Sequence, residues 1–115
     1  MRIPKPISER RRAVRVDTEL PFRVAHRSYE LEAITVNLSS KGVYFRVEKD
    51  IPMMTKLHLA ILLPGSSKAL RAESVVVRKE KDERSGAYFI AAYFSEIKPA
   101  DRRTLEQFIQ SRVQP

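Results

Sequence analysis

Ile34-Thr35-Val36-Asn37-Leu38-Ser39-Ser40-Lys41-Gly42-Val43-Tyr44-Phe45-Arg46-Val47 is two runs of alternating character joined by a short polar bend. In the second run Val43, Phe45 and Val47 alternate with Tyr44 and Arg46, the period of a strand with one buried face. In the first, Ile34, Val36 and Leu38 have the same spacing and are expected on one face. The bend between them is built of residues that make turns: short hydroxyl side chains and a glycine. Working outward, Phe22 and Val24 alternate with Arg23 and Ala25, and Leu31–Leu38 continues as a second strand. Beyond the hairpin, Ile51-Pro52-Met53-Met54 reads as a connection, because Pro52 lacks the N–H that a strand interior needs. Leu57, Leu59, Ile61 and Leu63 form a fourth alternating run, closed by the turn Pro64-Gly65-Ser66-Ser67. Ala69–Lys79 follows, then a charged turn from Lys81 to Gly86, then Ala87–Phe94. That last run is apolar on both faces, as expected of a strand beside another packed element, and Phe89, Tyr93 and Phe94 are assigned to the core.

The period changes once more near the end. Pro99 suits a helix's first turn, Asp101 suits the positive end of its dipole, and Leu105, Phe108, Ile109 and Val113 recur at helical spacing. This predicts one amphipathic helix, lying over the strands or docking onto another subunit. The fold class is therefore mostly β, a small antiparallel barrel or sandwich with a C-terminal helix. Residues 1–18 carry many charges and few apolar side chains and are expected to form a mobile basic arm; residues 19–115 hold the folded body.

The chain has 115 residues and a formal net charge of +8, which points to an anionic partner. The charge is concentrated: Arg2, Lys5, Arg10, Arg11, Arg12 and Arg15 precede residue 16, with Glu9 the single acid among them. There is no cysteine, which excludes disulfides and thiolate metal sites. No signal peptide is legible and no apolar run approaches the ~20 residues of a membrane helix, so a cytoplasmic protein without membrane insertion is expected. His26 and His58 lie in predicted strands with no second ligand at metal spacing, and Asp17 and Glu19 have no nucleophile near them in sequence. No metal, no cofactor and no enzymatic activity are expected.

Two constellations remain. Arg11 and Arg15, four residues apart, offer planar donor forks that match phosphate oxygens and the O6/N7 edge of guanine. Read alone, they are part of a solvated basic arm. Asn37, Ser39 and Gly42 supply short polar groups and a glycine suited to an unusual backbone conformation or a close approach. Read alone, they make a hairpin turn.

Together the arginine pair and the downstream Asn37-x-Ser39-x-x-Gly42 resemble the PilZ domain family, and the likeness runs from Glu9 to Val113. Gly42-Val43-Tyr44-Phe45 looks like the strand after the family's glycine. Gly86-Ala87-Tyr88-Phe89 to Phe94, then Asp101-Arg102-Arg103 and Leu105–Ile109, look like its last strand and terminal helix. The resemblance implies a six-stranded antiparallel split barrel that binds cyclic di-GMP as a switch or adaptor in bacterial second-messenger signalling, in control of motility, biofilm or exopolysaccharide. It implies that Arg11 and Arg15 contact guanine edges and phosphates, that Asn37 and Ser39 fix a guanine, and that Gly42 keeps the turn tight. Arg10 occupies the position that bears on whether one or two dinucleotides stack. A further cation there favours two, and a solvent-exposed side chain is the other reading. A downstream protein partner and a monomeric or weakly dimeric state are expected. Two rivals stand beside this reading: a nonspecific nucleic-acid binder on an OB-like or SH3-like barrel, and a PilZ-fold protein–protein adaptor without the dinucleotide. The first predicts salt-sensitive oligonucleotide binding with no preference for the cyclic dinucleotide, and the intact motifs argue against the second, because a pure docking role would not require them.

Overall fold

The computed structural model describes residues 14–113. Seven strands run in chain order: β1 (Val16–Asp17), β2 (Pro21–His26), β3 (Tyr29–Leu38), β4 (Gly42–Val47), β5 (Lys56–Ile61), β6 (Leu70–Lys81) and β7 (Tyr88–Ile97). One helix, α1 (Pro99–Val113), ends the described chain. All pairings are antiparallel in the order β1-β3-β2-β5-β6-β7-β4, and β4 returns to pair with β3. Six strands, β2 to β7, thus close a barrel, as the resemblance implies, and β1 lies outside the ring. Closure removes the free sheet edges that an open antiparallel sheet would expose.

β1 belongs to the stretch read as arm. Val16 is buried in the core cluster and pairs with Leu38, and Asp17 pairs with Asn37. β1 and β2 run along the same strand, β3, and the link between them is strapped down. Thr18 N–H donates to the Val36 carbonyl (3.0 Å) and Thr35 N–H to the Leu20 carbonyl (2.9 Å). The buried Thr35 hydroxyl oxygen accepts from Leu20 N–H (2.8 Å) and from the Thr18 hydroxyl (2.7 Å).

β3 departs from simple alternation. Thr35 faces Phe45 and Asn37 faces Tyr44, which leaves Val36 as an extra residue, a β-bulge. Ahead of the bulge Ala33 and Thr35 point inward and Ile34 outward, 42% exposed; after it Leu38 points inward. The expectation that Ile34, Val36 and Leu38 share one face is therefore corrected. A bulge shifts the phase by one residue, so the two halves of β3 bury different parities.

The core is filled from every barrel strand, with Phe22 and Phe45 meeting edge to face at 5.3 Å. α1 packs on β6 and β1 of its own chain, burying Leu105, Phe108 and Ile109; Val113, expected on the same face, is exposed. β7 also differs from its reading. Ile90, Ala92 and Phe94 are buried, but Tyr93 is 53% exposed and Phe89 lies on the outer face against Tyr44.

Thr35→Val keeps the shape and removes the doubly bonded hydroxyl oxygen, leaving Leu20 N–H and the Thr18 hydroxyl without that partner. The expected loss is about 1–3 kcal/mol of unfolding free energy, read by urea denaturation with an unchanged m-value.

Candidate functional site

The bend between β3 and β4 is organised around one hydroxyl. Ser39 Oγ accepts from Lys41 N–H (3.1 Å) and Gly42 N–H (3.2 Å), while Ser39 N–H donates to the Gly42 carbonyl (2.9 Å). Ser39 is only 3% exposed. Its side chain closes the turn from within.

Gly42 has ordinary negative φ, so left-handed freedom is not its reason. A Cβ there would run into the Ala92 carbonyl oxygen, with the Tyr93 Cα 3.3 Å away. The turn is drawn onto β7, and the Lys41 carbonyl accepts from Phe94 N–H at 2.8 Å. From the other side, Arg102 Nη1 on α1 donates to the Ser40 carbonyl at 3.0 Å.

Asn37 lies beside this turn on the barrel's outer face, with Tyr44 as its cross-strand neighbour. Arg15 Nη1 donates to Asn37 Oδ1 at 3.3 Å, an exposed contact. Their meeting follows from topology: Arg15 immediately precedes β1, and β1 pairs with Leu38 and Asn37. Of the residues singled out in the sequence, Arg15, Asn37, Ser39 and Gly42 are thus brought together. Arg10 and Arg11 lie outside the described residues.

Sequence reasoning missed the outer face next to the turn. Tyr44 and Phe89 stack with centroids 5.9 Å apart at 24°, and Tyr93 stands opposite Gly42 across the β4–β7 pair. It also missed Arg102 as a partner of the turn. A usable signal existed for the first: Tyr44 alternates with the buried Val43 and Phe45, which places it outside.

The setting is open. One cleft, with a volume of about 290 Å³, lies between β5, β6, β7 and the start of α1, lined by His58, Arg71, Glu73 and Asp101 among others. A second lies between the Leu63–Ser66 turn and α1. Asn37 and the 39–42 turn line neither. The arrangement offers an anion a permanent cation, a side-chain amide and neighbouring aromatic faces on an exposed surface. Among the described residues, no group of three or more His, Asp or Glu side chains could hold a metal ion, and no helix is long and apolar enough to cross a membrane.

The chain matches the PilZ domain family model over residues 9–111, and it belongs to that family. It is similar to the inhibitor of motility MotI/DgrA of Bacillus subtilis, with 25% identity and a TM-score of 0.78, over 97% of this chain and 53% of that one. It shares its fold with YcgR from Escherichia coli in complex with c-di-GMP, at 15% identity and a TM-score of 0.71 over 89% of this chain and 45% of that one. The isolated PilZ domain of YcgR with c-di-GMP superposes with a TM-score of 0.64 at 18% identity, over 90% of this chain and 91% of that one. The chain spans about half the length of the first two. None of the curated proteins searched matches it in sequence.

Because the obstruction at Gly42 is backbone, it cannot swing aside as a side chain would. Gly42→Ala is expected to destabilise the barrel by about 1–3 kcal/mol, seen as a lower thermal midpoint and faster amide exchange at Lys41 and Phe94.

Proposed function

We propose that this chain is a cyclic di-GMP receptor module, a binding switch without chemistry of its own, acting in bacterial cytoplasmic signalling that governs motility, biofilm or exopolysaccharide. The observation that carries the reading is the Arg15–Asn37 contact beside the Ser39-centred turn. It joins the arginine motif to the polar motif on one surface. The PilZ assignment and the printed description of YcgR as a c-di-GMP complex support the choice of ligand.

The chemistry is consistent with it. Cyclic di-GMP presents two phosphates and two guanines. Arg15, Arg11 and Arg10 supply guanidinium forks for phosphate oxygens and guanine edges, and Asn37 supplies an amide that both donates and accepts. Ser39 acts by holding the turn, and Gly42 by letting it seat on β7. An open surface cannot surround a ligand alone, so the leader carrying Arg10 and Arg11 acts as an arm that closes over it, while residues 16–18 stay fixed against β3. Arg10 adds the cation that favours a stacked pair of dinucleotides. The arm's new position, presented to a downstream protein, is the output. The module works as a monomer or weak dimer and uses no cofactor.

Isothermal titration with cyclic di-GMP, beside GTP and a short RNA, is the direct test. Saturable binding of the cyclic dinucleotide alone is expected. Binding of RNA without preference for the dinucleotide, falling steeply with salt, would overturn the reading in favour of a nucleic-acid binder. Arg15→Ala or Arg11→Ala is expected to weaken binding by about 2 kcal/mol, roughly 30-fold. Amide exchange across Arg10–Arg15 is expected to slow when ligand is added, and unchanged exchange there would remove the arm from the mechanism.

A further inference from the structure

We infer that Arg102 is a positioning residue for the ligand-binding turn, tying the Ser40 carbonyl to α1 so that turn and helix behave as one piece. The inference rests on the cyclic di-GMP reading for its ligand, though not for its geometry.

Within the 39–42 turn the Gly42 carbonyl takes Ser39 N–H, the Lys41 carbonyl takes Phe94 N–H, and the Ser39 hydroxyl takes two N–H groups. These bonds tie the turn to itself and to β7. The Ser40 carbonyl is held differently, by a guanidinium 62 residues away in sequence, at 3.0 Å in a partly buried setting. A bond from a permanent cation to a carbonyl is stronger than a neutral one, and partial burial limits its competition with water.

The arginine projects from a fixed base. Leu105, Phe108 and Ile109 root α1 in the core, Arg102 N–H bonds the Lys98 carbonyl, and the Asp101 carboxylate takes Arg71 N–H from β6 at 3.5 Å. α1 also packs on β1, the strand that sets Arg15 beside Asn37. Both halves of the site, the start of the arm and the polar turn, are therefore braced on the same helix. A turn held in one conformation before the ligand arrives does not have to be ordered on binding, which raises affinity without any contact to the ligand.

The test compares wild type, Arg102→Gln and Arg103→Gln. The two variants lose the same charge one residue apart, and Arg103 is exposed. In Arg102→Gln, exchange at Lys41 and Gly42 is expected to rise while core amides such as Val24 and Phe45 stay protected, and cyclic di-GMP affinity is expected to fall about tenfold. Arg103→Gln should match wild type in both. Unchanged turn exchange in Arg102→Gln would overturn the inference, and so would an equal loss of affinity in both variants, which would reduce the effect to net charge. Wild-type protein that fails to bind cyclic di-GMP would defeat the ligand assignment alone, because turn exchange still decides the clamp. Should Arg102→Gln fail to fold, the wild-type Arg102 Nη1–H resonance, the donor to the Ser40 carbonyl, decides. It should exchange slowly and shift on addition of cyclic di-GMP, and a signal as solvent-like as that of Arg103 overturns the clamp.

Discussion

The extra residue at Val36 is the constraint on which the rest of the site depends. Up to Thr35, β3 buries odd-numbered residues, and Thr35 is fixed inward by its bonds to Leu20 and Thr18. Carried on without interruption, that phase would turn Asn37 into the core and Leu38 out to water. Burying an unpartnered amide costs several kcal/mol, and exposing a leucine forfeits roughly 1.5–3 kcal/mol. One bulged residue removes both costs. Leu38 goes into the core and Asn37 to the outer surface, where β1 delivers Arg15 to it.

The turn that follows is rigid for reasons unrelated to any ligand. Its hydroxyl is buried and doubly bonded, its glycine is pressed on the backbone of β7, and its middle carbonyl is held by a helix. Two of the motif residues, Ser39 and Gly42, therefore work as scaffold, leaving Asn37 as the side chain at the surface. Rigid hydrogen-bonding groups on a fixed framework lose little entropy on binding, so a small number of contacts can be specific.

Much of this was legible in the sequence, and the gaps have identifiable causes. Alternation at Val43–Val47 and Leu57–Leu63 and the helical spacing of Leu105, Phe108 and Ile109 are local signals, and the elements they imply are present. Arg15, Asn37, Ser39 and Gly42 were visible as polar and glycine residues at fixed spacing. The phase change in β3 was not, because Ile34, Val36 and Leu38 present an unbroken apolar alternation and a bulge has no residue type of its own. The reason for Gly42 lies at Ala92, and the partner of Ser40 at Arg102; contacts across such separations leave no mark on local pattern. Tyr93 misled for a related reason. An apolar run does not say which of its faces meets another element, and on the outer face of β7 Tyr93 is left 53% exposed.

The closed barrel also limits how a bound ligand can be signalled. Sliding any strand by one residue would exchange its buried and exposed faces, and six strands are locked in a ring, so the body has no low-energy alternative register. Packed interiors of this kind do not deform gradually. A ligand bound at the proposed site, Asn37 and the 39–42 turn, would therefore act through what is attached to that surface. Two elements qualify: the chain leading into Arg15, and α1, which touches both the turn and β1. The first carries much of the molecule's excess positive charge. The second is apolar on its inner face and firmly seated. The division follows from the physics of each part: the ring fixes geometry, the leader supplies charge, and the helix holds the junction where they meet.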